Sequence, residues 1–160
     1  MQSDSQQASG EAAGTPSGIS FIEFAMIAAA LSTCAMALAP ELAAATRTAR
    51  EQTLQRDLEM FRRQIEQYKK DHGERLPAAE SNSETTFVAQ LTSRSDEHGE
   101  TSPRGHFGPY ILGDLPPNPF NGKRRVLVVA GPLKREHTAG DGNHGWSFSS
   151  TTGEFAANGR

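Results

Sequence analysis

The sequence predicts an α+β fold in which a long N-terminal helix packs on a small C-terminal antiparallel β-sheet. An apolar run from Phe24 to Ala39 is followed by a stretch in which apolar residues recur with helical spacing. Strand-like segments then follow near the C-terminus, at 126–130 and 146–149. A chain of 160 residues accommodates one modest soluble domain beside a helix of membrane length.

The first half of the predicted helix, 19–45, is long and apolar enough to span a membrane. Its only charged residues are Glu23 and Glu41, and a helix of this length extends about 40 Å at ~1.5 Å per residue. Pro40 interrupts the run, and a proline inside a helix removes one backbone hydrogen bond and produces a kink or local unwinding. Alternatively, Pro40 occupies the first turn of a second helix, before Glu41.

The second half of the predicted helix, 46–73, is amphipathic. Its apolar residues recur at spacings of four and three and therefore share one helical face. They are Leu54, Leu58, Phe61, Ile65 and Tyr68. The remaining faces carry many charges, so we expect the apolar face to be buried and the others to be solvated. Gly73 is the expected left-handed cap that ends the helix.

The middle of the chain, 74–123, is predicted to be a variable loop region with one short helix at 85–93. Its segment 115–122 is rich in proline, which excludes a central strand and predicts a stiff, extended loop. This loop presents Phe120 to the core. It is either a contact between subunits or plain scaffold, and the sequence does not distinguish the two.

The C-terminal region, 124–160, predicts two or three short antiparallel strands. Val126 begins a β-branched run, and the segment 146–149 alternates apolar and polar residues. A tight turn at 151–153 returns the chain into a last strand. We expect the aromatic residues of this sheet to meet the apolar helix face. They are Trp146, Phe148 and Phe155.

A short motif lies where the polar segment 1–18 meets the apolar run. Gly18 ends the polar segment, which we expect to be disordered, and Glu23 follows five residues later. A carboxylate inside a membrane helix is costly, roughly 2.5–3.5 kcal/mol at the bilayer centre. A free α-amine, produced by cleavage after Gly18, would be a suitable partner for it. The stretch 18–24 resembles the processing site of type IV pilins and of the pseudopilins of type II secretion.

The resemblance implies a pilin-like fold and a maturation pathway. A prepilin peptidase would remove the leader 1–18 by cutting between Gly18 and Ile19 and would N-methylate the amine of Ile19. Glu23 would direct assembly, and Pro40, 22 residues past Gly18, would mark where the helix melts during assembly. The segments 57–77 and 108–120 are also similar to those of major (G-type) pseudopilins.

The same resemblance implies the partners and the location of the protein. The expected partners are the prepilin peptidase, other pseudopilin subunits in a homopolymer, the inner-membrane secretion platform, its assembly ATPase and the lipid bilayer. The chain would cross the bacterial inner membrane once and keep its C-terminal domain in the periplasm. It would serve as the structural subunit of a periplasmic filament that drives protein export.

Three alternatives remain open. The chain could be a subunit of a type IV pilus for adhesion, motility or DNA uptake, although its single cysteine, Cys34, excludes the intrachain disulfide common in adhesive pilins. It could also be a membrane-tethered periplasmic binding module that never polymerises. Finally, an ordinary signal peptidase could cut after Ala39 or Ala45, since both follow an A-x-A pattern.

Few features of the sequence indicate ligand chemistry. In the segment 140–145, oxygens of Asp141 and Asn143 could hold Ca²⁺, although Gly-Asp-Gly-Asn is also ordinary turn chemistry. We find no nucleophile–base pair, paired carboxylates or phosphate-binding loop and therefore expect no enzyme. A net charge of −3 argues against a nucleic-acid partner, and the basic cluster 123–125 is expected to be a solvated edge.

Overall fold

The computed structural model describes the backbone of residues 20–159 and the side chains of Ser20, Ile22 and 41–159. The chain divides into two compact units, the first ending at Ala43 and the second beginning at Ala44. The elements follow in the order α1 (Phe21–Asp71), α2 (Glu84–Thr92), β1 (Val126–Val129), α3 (Arg135–Thr138), β2 (Trp146–Ser149) and β3 (Phe155–Ala157). The α+β class is confirmed. The predicted leader 1–18 lies outside the described residues.

The amphipathic part of α1 buries the predicted face. Every one of its five apolar positions is at most 4% exposed, and they are Leu54, Leu58, Phe61, Ile65 and Tyr68. The helix ends at Asp71, and Gly73 follows with the left-handed φ of 61° that a helix cap of this kind requires. The 3.6-residue period therefore fixes which side of the helix meets the rest of the domain.

None of the helices, as far as their side chains are described, is long and apolar enough to cross a membrane. The predicted membrane segment falls largely on positions 23–40, whose side chains are outside the described set.

The sheet is mixed, so the prediction of an antiparallel sheet was wrong for one of its two pairings. The strand order is β1-β2-β3. β1 pairs with β2 in parallel, with Val126 opposite Trp146, whereas β2 pairs with β3 antiparallel, with Phe148 opposite Phe155. The connection 130–145, which contains α3, is longer than the roughly dozen residues that a parallel return needs. The turn between β2 and β3 is tight, as expected, and it permits only a hairpin.

Aromatic rings from the sheet and the helices meet at Phe61. The Phe61 ring centroid lies 4.3 Å from that of Phe155 and 5.1 Å from that of Trp146. Phe87 of α2 covers Phe148 at 4.6 Å. These rings are 0–3% exposed, and offset aromatic contacts at such distances add about 0.5–1.5 kcal/mol beyond the area they bury. The expected helix–sheet packing is therefore confirmed at the centre of the core.

Candidate functional site

The residues that the prepilin resemblance singles out lie at the edge of what the structure describes. Gly18 and Ile19 fall outside the described residues. Glu23 and Pro40 lie within the backbone range of α1, but their side chains are not described. Their predicted roles in cleavage, N-methylation and assembly therefore stay predictions.

The part of α1 that precedes the buried face is exposed. All side chains from Glu41 to Gln52 are solvent-accessible, and Leu42 is 70% exposed. One ion pair lies along this surface, between Arg47 and Glu51, with 3.4 Å between Nε and Oε1. From Leu54 onward, the helix packs on the sheet. Within the second compact unit, the helix thus changes from an exposed segment, 44–52, to a segment that is anchored on the sheet.

His72 joins the end of α1 to the loop that follows α2, and the sequence analysis did not identify this role. It is 2% exposed, its Nδ1 lies 2.8 Å from the carbonyl of Tyr68, and its Nε2 lies 3.0 Å from Ser95 Oγ. A carbonyl only accepts, so Nδ1 carries a proton, and in the neutral ring Nε2 then accepts from the Ser95 hydroxyl. The Tyr68 ring stacks on the imidazole at 3.9 Å. His72 is therefore a satisfied core histidine.

The proline-rich loop is held by a buried asparagine. Asn118 is 0% exposed, and its Nδ2 donates to the carbonyls of Gly145, at 2.8 Å, and Gly159, at 3.3 Å. Its Oδ1 accepts from the Phe120 N–H at 2.9 Å. Phe120 is partly buried against the core, as expected. Asn118 therefore joins this loop to the C-terminal segment, which is a scaffold role for at least part of the loop.

The proposed calcium loop is closed by its own hydrogen bonds. Asp141 Oδ1 accepts from the N–H groups of Asn143 and His144, each at 2.9 Å, and Oδ2 lies 2.5 Å from His144 Nδ1. Partial burial raises the pKa of Asp141, but these hydrogen bonds outweigh it and lower the pKa to about 2. No cluster of three metal-ligating side chains occurs among the described residues. Calcium at Asp141 and Asn143 stays a prediction.

A carboxylate joins α2 to the first strand. Glu84 Oε2 accepts from Nε and a terminal nitrogen of Arg125, at 3.1 and 2.8 Å, and its Oε1 accepts from the Val126 N–H at 3.0 Å. Burial raises the pKa of Glu84, but the hydrogen bonds from Arg125 and Val126 bring it below its ordinary value. β1 is an edge strand, so the N–H groups on its outer side have no neighbouring strand to bond to. Glu84 accepts a hydrogen bond from one of them, the N–H of Val126. The basic cluster 123–125 is exposed, as expected.

A cleft with a volume of about 440 Å³ lies beside α2. Gln90 spans it, since its Oε1 accepts from the Ala78 N–H at 2.8 Å and its Nε2 donates to the Gly99 carbonyl at 2.9 Å. Gly99 has a φ of 83°, and a Cβ at this position would lie 2.5 Å from the Tyr68 hydroxyl. Only glycine fits there. We call this feature the α2 cleft. No sequence pattern indicated it, because its lining comes from α1, from α2 and from the loops that follow these two helices.

No protein-family model, no curated protein and no solved structure matches this chain.

Proposed function

We propose that this protein is a pseudopilin, the structural subunit of a periplasmic filament that drives protein export in a type II secretion system. The observation that carries the proposal is the spacing of Gly18, Ile19 and Glu23 at the start of a long apolar run. Along the chain, that run is followed by a helix segment packed on a small sheet. A polar leader, a cleavable glycine and a single acid at this spacing are what the proposed maturation and assembly require.

In this proposal, a prepilin peptidase cuts after Gly18 and methylates the new amine of Ile19. Subunits then wait in the inner membrane with their C-terminal domains in the periplasm. On assembly, Glu23 of one subunit pairs with the Ile19 amine of its neighbour. An unpaired charge in a low-dielectric site is costly, so the pairing favours a single axial register between subunits. Packing between the apolar helices supplies most of the cohesion of the filament.

In the described part of α1, an exposed segment is followed by a segment with one buried face, and this difference supports the proposal. Residues 41–52 are exposed and present a surface to which neighbouring subunits have access. From Leu54 to Tyr68, one face is buried in the domain core, which ties the helix firmly to the soluble domain. A filament subunit needs both properties, because its helix must contact other subunits while it carries its own domain.

The proposal is tested by replacing Glu23 in one variant and, as a control, Glu41 in another. We expect Glu23→Ala to leave leader cleavage intact and to abolish entry into filaments, because a buried ammonium left unpaired costs about 3–5 kcal/mol. Glu41→Ala removes the other acid of the predicted membrane helix, which is exposed, and should leave assembly unchanged. Cleavage is read from the mass of the chain, and assembly from the length of filaments that are released from the periplasm and viewed by electron microscopy. Filaments of normal length from the Glu23→Ala chain would contradict the proposal.

A further inference from the structure

The α2 cleft contains two hydrogen-bond donors that have no partner in the described part of the chain. Tyr68 lines the cleft and is 2% exposed, yet its hydroxyl makes no hydrogen bond there. Arg75, also in the lining, is exposed, and its guanidinium has neither an ion pair nor a hydrogen bond within the described residues. Burial is the main cause that raises the pKa of Tyr68 to about 12, so its hydroxyl keeps its proton at neutral pH. Two free donors suit a carboxylate ligand.

One residue in the wall of the cleft has an unusual backbone. Ala78, in the lining, has a φ of 54°, and two residues of the same segment outside the lining also have a positive φ, Glu74 at 67° and Asn82 at 51°. Such conformations are rare for residues with side chains and are concentrated at binding and active sites. Gln90 holds Ala78 in place through its N–H. The fold therefore maintains the shape of this wall at the expense of local strain.

A loop elsewhere in the domain presents groups that complement the cleft. Leu112 is 85% exposed, and the residues that flank the segment 112–114 are fixed: the Ile111 N–H donates to the Leu91 carbonyl at 2.9 Å, and Leu115 is 4% exposed. Asp114 is exposed and has no ion pair or hydrogen bond among the described residues. The loop thus displays an apolar side chain and a free carboxylate two positions apart, between two fixed residues.

We propose that Leu112 and Asp114 of one subunit dock in the α2 cleft of a second copy of this chain. Leu112 packs against the apolar lining, at Leu76 and Ala79. The carboxylate of Asp114 accepts hydrogen bonds from the free donors of the cleft. Because the loop and the cleft are different surfaces, the contact is head-to-tail and can repeat without closing, as a filament requires.

The charges around the cleft determine which part of the loop supplies affinity. Glu80 and Glu100 also line the cleft, are exposed and have no ion pair among the residues described. Their negative charges oppose the binding of an isolated carboxylate in the cleft. The apolar contact of Leu112 therefore supplies most of the affinity, and Arg75 selects the orientation in which Asp114 faces it.

The contact is tested by photo-crosslinking of the full chain in its native membrane. A benzophenone amino acid replaces Thr85, an exposed residue in the lining of the cleft. The control places it at Thr151, which is exposed and outside that lining. We expect a covalent dimer from position 85 whose crosslinked peptide, identified by mass spectrometry, contains residues 112–114 of the second copy. Adducts only with other proteins or other segments, or no adduct at all, would overturn the proposal.

Substitutions refine the same measurement. We expect Leu112→Ser to lower the yield of the dimer about tenfold, through the lost burial of a leucine. Arg75→Asp should lower it about threefold, as for an exposed ion pair, and Asp114→Arg in the same chain should restore it. A double variant that stays as low as Arg75→Asp would exclude the pairing. The fluorescence of Trp146, the only tryptophan, checks that each variant is folded.

The inference rests on the proposed function, because it takes the second copy to be a filament neighbour. The two fail separately. If filaments form and need Glu23 but no crosslink to 112–114 appears, only the docking contact is wrong. If that crosslink forms in membranes where no filament assembles, the docking contact holds and the filament proposal falls.

Discussion

The buried face of α1 and the two polar loops 115–122 and 140–145 are held by different interactions. At the helix, Phe61 is 0% exposed and packs against the rings of Trp146 and Phe155. In the two loops, Asn118 and Asp141 each accept or donate several hydrogen bonds with main-chain groups. Apolar burial contributes in proportion to area, whereas a polar network is most costly when one member is removed. The two regions should therefore respond differently to mutation.

The largest effect is expected at the helix face. Phe61→Ala should lower the free energy of unfolding by about 3–5 kcal/mol, because it removes a ring that is surrounded by other rings and leaves a cavity. The measurement is urea unfolding followed by the fluorescence of Trp146. Arg63→Ala, an exposed position of the same helix, is the control and should change stability by about 0.5 kcal/mol or less. Equal midpoints for the two variants would contradict the account of the core.

A smaller effect is expected in the polar network. Asn118→Ala should lower the free energy of unfolding by about 1–3 kcal/mol, because it removes the hydrogen bonds that this side chain makes with the Gly159 carbonyl and the Phe120 N–H. The matched control is Asn143→Ala, since the Asn143 side chain is exposed and makes no hydrogen bond among the described residues. The same unfolding assay applies. If both variants unfold alike, Asn118 does not hold the loop.

The smallest effect is expected from pH at Asp141. Its pKa is about 2 in the folded chain, against about 3.9 for an ordinary aspartate. A lowered pKa means that Asp141 stabilises the fold above about pH 4 and that this contribution is lost as the pH falls to about 2. Asp141→Asn should flatten the dependence of stability on pH in that window. Glu100→Gln, at an exposed carboxylate, should not, and an unchanged slope for Asp141→Asn would contradict the assignment.

The helix–sheet packing could be predicted because local patterns specify it. Leu54, Leu58 and Phe61 reveal the buried face by spacing alone, and Gly73 marks the end of the helix. The direction of β1 could not be predicted, because a strand signal says which residues extend and not which way the neighbouring strand runs. The long connection 130–145 permitted either arrangement, and the parallel one formed.

The candidate sites also divide into one that the sequence suggests and one that only the folded chain reveals. The spacing of Gly18 and Glu23 is a local feature, so the sequence alone suggests their roles. The α2 cleft joins Tyr68, Gln90 and Gly99, which belong to three separate segments. Its shape depends on single hydrogen bonds and on left-handed backbone at residues such as Ala78, for which no sequence signal exists. Polar sites built from distant loops become visible only in the folded chain.

The central claim is that the mature chain begins at Ile19. The most direct test is the intact mass of the protein extracted from its native membrane. The account predicts a chain that starts at Ile19 and is heavier by one methyl group. A chain that starts after Ala39 or Ala45, or that retains Met1, would contradict it, because the amine that pairs with Glu23 would then be absent.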